Sequence, residues 1–298
     1  MPTPDPPSLE GLSIGFIGLG LMGRPMSLNL MKARARLVVH SRSPGPVEEM
    51  AALGMTPADS PAAVARAAET VIIMTSDTPA VEAIVGGGNG LLGAVGPHTL
   101  VIDMGTTAVT ASRCLARAFA EAGAAYVDAP VSGGTVGAEK ATLTIMVGGA
   151  DAAVERAMPL FRVLGQRVTH VGGPGAGQVA KAANQVIVGL TIGAVAEALT
   201  LARRAGADPE KVREALRAGF ADSLILELHG GRMTSRDFRP GGKSTTQRKD
   251  LAQALELAAE VGLELPATAL NMELYDRLIA AGFGDLDHSA LVKVLDGE

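Results

Sequence analysis

Lys181, Asn184 and Gln185 lie three and four residues apart in a stretch whose apolar periodicity predicts one long helix over 178–205. At that spacing all three side chains can face one cleft. An ammonium beside two amides, on a helix apolar enough to be buried, has two readings. It snorkels to the surface, or it has a partner or a proton-transfer task. Ser132-Gly133-Gly134 follows a predicted strand and offers a hydroxyl with unshielded backbone N–H groups. That suits a substrate carboxylate, although a plain glycine turn has the same composition. The third constellation is Gly18-Leu19-Gly20-Leu21-Met22-Gly23, a G-x-G-x-x-G placed after a strand and ahead of a helix. In such a loop the first glycine permits the turn and the second lets the backbone approach a pyrophosphate. The third lets helix and strand pack closely.

The same βαβ unit bears on the choice of dinucleotide. An acid at the end of the second strand would bond a ribose 2′-hydroxyl and repel a 2′-phosphate. The chain has His40-Ser41-Arg42-Ser43 there, with no carboxylate. Arg42 can pair with a phosphate, and Ser41 and Ser43 can donate to it. NADP(H) is therefore expected over NAD(H). A solvated loop arginine is the competing reading.

Asp128-Ala129-Pro130-Val131-Ser132-Gly133-Gly134, Gly175-Ala176-Gly177-Gln178-Val179-Ala180-Lys181-Ala182-Ala183-Asn184-Gln185 and Lys249-Asp250-Leu251 follow the glycine loop in order. With it they resemble the β-hydroxyacid dehydrogenase family over nearly the whole chain. Lys181 to Val188 and Asp287-His288-Ser289-Ala290 look most like its tartronate semialdehyde reductase branch. The resemblance implies an oxidoreductase that interconverts a small β-hydroxyacid and its oxo or semialdehyde form. Lys181 would be the general acid and base, with Asn184 orienting the substrate hydroxyl and Ser132, Gly133 and Gly134 holding the carboxylate. Gln185 would sit beside them, and Lys249 would add positive charge for substrate and cofactor. Met74, Thr75 and Ser76 after the third strand and Thr106 after the fourth would line the cofactor cleft. The resemblance also implies a homodimer or homotetramer. Relatives often carry a large residue such as Phe before the Lys-Asp-Leu helix, where this chain has Gly242, so the acid itself stays open. Rival readings are a 3-hydroxyisobutyrate or β-hydroxy amino-acid (serine or threonine) dehydrogenase and, in another class, a non-catalytic NADP-binding scaffold.

Elements must hold these groups in place. Strand-length runs at 13–17, 37–40, 71–74, 100–102, 125–127 and 143–147 alternate with helical segments at 50–53, 61–68, 109–122 and 151–164. This order predicts an α/β, Rossmann-like doubly wound parallel sheet over 12–174. An all-helical domain over 175–298 is expected to follow, joined by the long helix and continuing at Asp208-Pro209, an N-cap followed by Pro. Residues 1–11 read as a disordered tail. With 47% hydrophobic residues, 3% aromatic, no Trp and net charge −5, the interior must be aliphatic. No basic stripe supports nucleic-acid binding. The apolar run 186–202 carries Thr191, Glu197 and Thr200 and reads as a buried helix, so no membrane association and a cytoplasmic location are expected. Cys114 reads as a buried helix thiol. The five histidines lack metal-ligand spacing, and no metal is expected.

Overall fold

Alternation of aliphatic side chains along each strand builds the first unit. The computed structural model describes residues 7–298. Its elements run β1 (Ser13–Ile17), α1 (Gly23–Lys32), β2 (Arg36–His40), α2 (Pro44–Ala52), β3 (Thr56–Pro57), α3 (Pro61–Ala67), β4 (Thr70–Ile73) and α4 (Thr78–Gly86). There follow β5 (Leu100–Asp103), α5 (Val109–Glu121), β6 (Ala125–Asp128), β7 (Val131–Ser132), α6 (Gly134–Lys140), β8 (Leu143–Gly149), α7 (Asp151–Leu164) and β9 (Gly165–Gly172). The sheet order is β3-β2-β1-β4-β5-β6-β8-β7, with β9 pairing β8. Ile14, Phe16, Ile72, Leu100 and Ile102 enter one core with Met26 and Leu30 of α1 and Phe161 of α7. Ile17, Val71, Ile73 and Val101 enter the other with Val64, Val81 and Phe119. Each fully buried side chain of this size contributes about 1.5–3 kcal/mol. Tyr126 lies in the second core, stacked on Phe119 at 5.6 Å.

The sheet departs from the expected all-parallel form. Strands β3 to β6 around β1 are parallel, but β8 runs antiparallel to β6 and β7 and parallel to β9. Between β6 and β8 the chain passes through β7 and α6 and returns against β6 in the opposite direction.

The second unit covers Ala182–Glu298 and the first ends at Lys181, so the division falls inside a helix, after the glycine-rich loop that suggested it. That helix, α8 (Ala176–Arg204), is followed by α9 (Pro209–Leu216), α10 (Leu224–Ser235), α11 (Ser244–Glu260), α12 (Pro266–Ala280) and α13 (Val292–Asp296). Asp208 caps α9 by accepting from the N–H groups of Glu210 and Lys211, which satisfies donors the helix itself cannot. Ile192, Val195, Ala196, Leu199, Leu251, Tyr275 and Leu278 form the core of this unit. Among the described residues, α8 is the one helix long and apolar enough to cross a membrane. Part of its apolar surface lies in that core, and Ile187 and Leu201 remain 65% and 71% exposed.

Two expectations need correction. Of the expected tail, residues 1–6 lie outside the described residues, but Leu9 is buried and its N–H donates to the Ala33 carbonyl at 2.7 Å. Burial and a backbone bond tie the chain down from there. Cys114 is exposed, because α5 turns Ser112, Leu115 and Phe119 inward and the thiol falls on the opposite face.

Candidate functional site

The loop after β1 is shaped by its glycines. Gly18 has φ +102°, and a Cβ there would stand 2.2 Å from the Met74 carbonyl oxygen; one at Gly23 would stand 1.8 Å from the Gly18 oxygen. Both positions are closed to any side chain. A Cβ at Gly20 would meet nothing within 4 Å, so the middle of the loop is open for a ligand. Leu19 is buried in the core and offers only backbone; its N–H approaches the Ser41 hydroxyl at 3.5 Å. Leu21 is exposed. Met22 precedes α1 without a side-chain cap, and the first turn has no acid, leaving N–H groups and the positive dipole end for an anion. Met74 packs against the core, and beside it the buried Thr75 hydroxyl has no hydrogen-bond partner. Ser76 donates to Asp77 at 2.9 Å. Arg42 and Ser43 are exposed after β2. An open glycine, an uncapped helix start and an orphaned hydroxyl fit a dinucleotide phosphate.

At the ends of β5 and β6, three polar residues that carried no assigned role in the sequence position the segments around them. Gln178 of α8 accepts from the Thr107 N–H at 3.2 Å and donates to the Gly105 carbonyl at 2.9 Å, clamping the segment that holds Thr106. Asp103 accepts from the Thr107 hydroxyl at 2.6 Å and the Gly105 N–H at 3.0 Å. Burial pushes its carboxyl up to about 6, against hydrogen bonds from Thr107, Gly105 and Tyr126 and with the Asp128 charge adding to the rise. Asp128 accepts from the N–H groups of Gly175 at 2.7 Å and Gln178 at 2.9 Å, fastening the start of α8. Burial raises its carboxyl too, opposed by those same donors. A Cβ at Gly177 would stand 2.5 Å from the Met146 carbonyl, so the helix start can sit this close only as glycine.

One turn into α8, the buried Lys181 donates from Nζ to the Val131 carbonyl at 2.8 Å. This holds the ammonium at the carbonyl that precedes Ser132 in the chain. Ser132 is half-buried, and both glycines are exposed with positive φ.

In the second unit, Asn184 donates to Gln185 at 2.7 Å. Gln185 donates to Asp250 at 2.6 Å and to Gln247 at 3.3 Å. Lys249 pairs with Asp250 at 2.9 Å. Gly242 lies against His288, whose Cε1 would be 3.5 Å from an added Cβ, so an imidazole borders this position. His229, Asp287 and His288 bring ligand atoms within 4.8 Å of one another, a grouping that sequence spacing hides. The Asp287 oxygens accept from Gly241 at 2.9 Å and the Ser289 hydroxyl at 2.6 Å, and Arg232 stands 3.4 Å away. Burial alone would raise this carboxyl, but His229, His288, Ser289 and Gly241 hold it far below the usual range. Its lone pairs are engaged and a cation already faces it, which suits an anchored carboxylate better than a metal ligand.

A dinucleotide loop, a lysine held beside a Ser-Gly-Gly turn and a helical second unit define a two-unit oxidoreductase. Residues 13–172 match the NAD binding domain of 6-phosphogluconate dehydrogenase. Residues 175–295 match the NAD-binding domain of NADP-dependent 3-hydroxyisobutyrate dehydrogenase. The chain belongs to the β-hydroxyacid dehydrogenase family and is an NAD(P)-dependent oxidoreductase of that class. It is 47% identical to 2-hydroxy-3-oxopropionate reductase of Escherichia coli, over 96% of this chain and 97% of that one. It is 37% identical to an NAD-dependent L-serine dehydrogenase of Pseudomonas aeruginosa, over 95% and 97%. The solved 3-hydroxyisobutyrate dehydrogenase of Mycobacterium tuberculosis, with L-serine, superposes with TM-score 0.87 at 31% identity, covering 95% of this chain and 99% of that one.

Proposed function

We propose that this protein is a cytoplasmic NADP(H)-dependent reductase of small semialdehydes, with tartronate semialdehyde (2-hydroxy-3-oxopropionate) as the leading substrate. The observation that carries the reading is the buried Lys181 ammonium, 2.8 Å from the carbonyl preceding Ser132. The 47% identity to a reductase of that name supports the substrate. When bound, the nicotinamide supplies the hydride for reduction and accepts it in oxidation. Lys181 gives its proton to the oxygen that becomes the alcohol and recovers it in reverse. Ser132 with the N–H groups of Gly133 and Gly134 holds the carboxylate, and Asn184 takes a substrate hydroxyl. Lys249 supplies positive charge. Arg42, with Ser41 and Ser43, favours a 2′-phosphate, since no acid follows β2.

Lys181→Ala is expected to lower kcat about 10²–10⁴-fold while NADPH affinity stays near wild type. Full turnover in that variant would overturn the assignment. Lys181 must be protonated to reduce and neutral to oxidise, so the two directions are expected to show opposite pH trends. A substrate panel run with NADPH and NADH side by side tests substrate and cofactor together. It pairs reduction of tartronate semialdehyde, succinic semialdehyde and glyoxylate with oxidation of 3-hydroxyisobutyrate, L-serine and D-threonine. A β-hydroxy amino-acid dehydrogenase is the second reading, favoured by the 37% identity to the Pseudomonas enzyme. The exposed Ile187 and Leu201 of α8 support a homodimer or homotetramer, which light scattering measures.

A further inference from the structure

Gln185, Gln247 and Asp250 are 7%, 2% and 4% exposed, and their hydrogen bonds have a fixed direction. An ionised carboxylate only accepts, so Asp250 Oδ2 draws the Gln185 amino group to itself at 2.6 Å. Gln247 Oε1 draws the same group at 3.3 Å. That oxygen also faces His288 Nδ1 at 3.3 Å, and the Gln247 amino group turns to the Gln185 carbonyl at 3.4 Å. Inverting the Gln185 amide would set its oxygen against two acceptors in a buried site, a costly arrangement. Gln185 Oε1 therefore points to Asn184 and takes its amino group at 2.7 Å. With its amino group taken in this way, the Asn184 oxygen is the end of the amide that stays out of the relay.

We propose that Asp250, acting through Gln185, fixes the Asn184 amide with its oxygen toward the substrate. This acceptor then selects β-hydroxyacids that carry a second hydroxyl on the carbon beside the carboxylate. The proposal rests on the reading of Asn184 as a substrate contact. A hydroxyl at that carbon donates to Asn184 Oδ1, whereas a methylene leaves the oxygen unpaired, the situation in which a site rejects an analogue most strongly. Asp250 and Gln185 are positioning residues in this scheme.

Glycerate and 3-hydroxypropanoate differ only by that hydroxyl, and both can be assayed in oxidation with NADP⁺. The wild-type protein is expected to prefer glycerate in kcat/KM by at least about tenfold; no preference would overturn the selection. Asp250→Asn can donate to Gln185, frees the relay and is expected to bring the two acids within about threefold of each other. Exchanging the groups, in Gln185→Glu with Asp250→Asn, keeps the net charge and restores a carboxylate that accepts from both neighbours. Recovery of the glycerate preference in the exchange variant supports the relay, since loss of general structure would not be mended by a second substitution. A folded exchange variant, melting like wild type but still indifferent to the hydroxyl, overturns it, as does failure of that variant to fold. Asn184→Ala separates the two ideas: a preference that survives it removes Asn184 from the substrate, whatever the relay does.

Discussion

Arg42 and Asp103 carry the clearest single-residue tests. If Arg42 pairs with a 2′-phosphate, Arg42→Ala should weaken NADPH by about 1.5–3 kcal/mol, the worth of a charge-assisted hydrogen bond. NADH should bind as before, and fluorescence titration of both cofactors reads the difference. Asp103 titrates near 6 in the folded protein against 3.8 as its ordinary value. The folded state thus holds that proton more tightly, so the contribution is fully present below 3.8 and is lost as pH rises through about 6. Its size is about 3 kcal/mol. Thermal melts of wild type and Asp103→Asn should diverge across that window, with the variant flatter. Lys181 was legible because the spacing to Asn184 and Gln185 is local. Asp128 and Gln178 were not, because their partners lie 47 to 73 residues away. Asp103 was not, because its complete burial depends on the sheet around it, although Gly105 and Thr107 are close in sequence. Cys114 misled because thiols are usually buried, while this one falls on the wet side of its helix.

At the scale of elements, α8 begins where Asp128 holds it. Asp128→Ala would strand the Gly175 and Gln178 N–H groups, at about 1–3 kcal/mol each. Because Lys181 rides on the same helix start, kcat should fall more than the loss of stability alone explains. Denaturant melts set against kcat, measured where the variant remains folded, check this. The strand runs were readable wherever a strand is buried on both faces, and 13–17 and 151–164 matched their elements end to end. Strand β9 escaped because it is mostly exposed and alternates too little. The two-residue β7 is defined by its pairing with β8, which no local pattern encodes. The helix at Asp208-Pro209 was legible for the opposite reason, since a cap and a proline are local chemistry.

For the whole molecule, the family and its two-unit plan followed from four motifs in order, because each motif binds to its own position in a shared scaffold. The antiparallel turn of the sheet at β8 did not follow, since strand direction depends on where the chain returns. A homo-oligomer would cover part of α8, so Ile187→Glu is expected to lower the assembly mass in light scattering. The interior is built without tryptophan, and its two tyrosines are divided one to each unit. Tyr126 packs in the first and Tyr275 in the second. Burial pushes both phenols well above their usual range, so neither should ionise while its own unit is folded. Ultraviolet absorbance of the phenolate in alkali then becomes a two-channel clock. With Tyr126→Phe and Tyr275→Phe to silence one channel at a time, it tells which half of the molecule opens first.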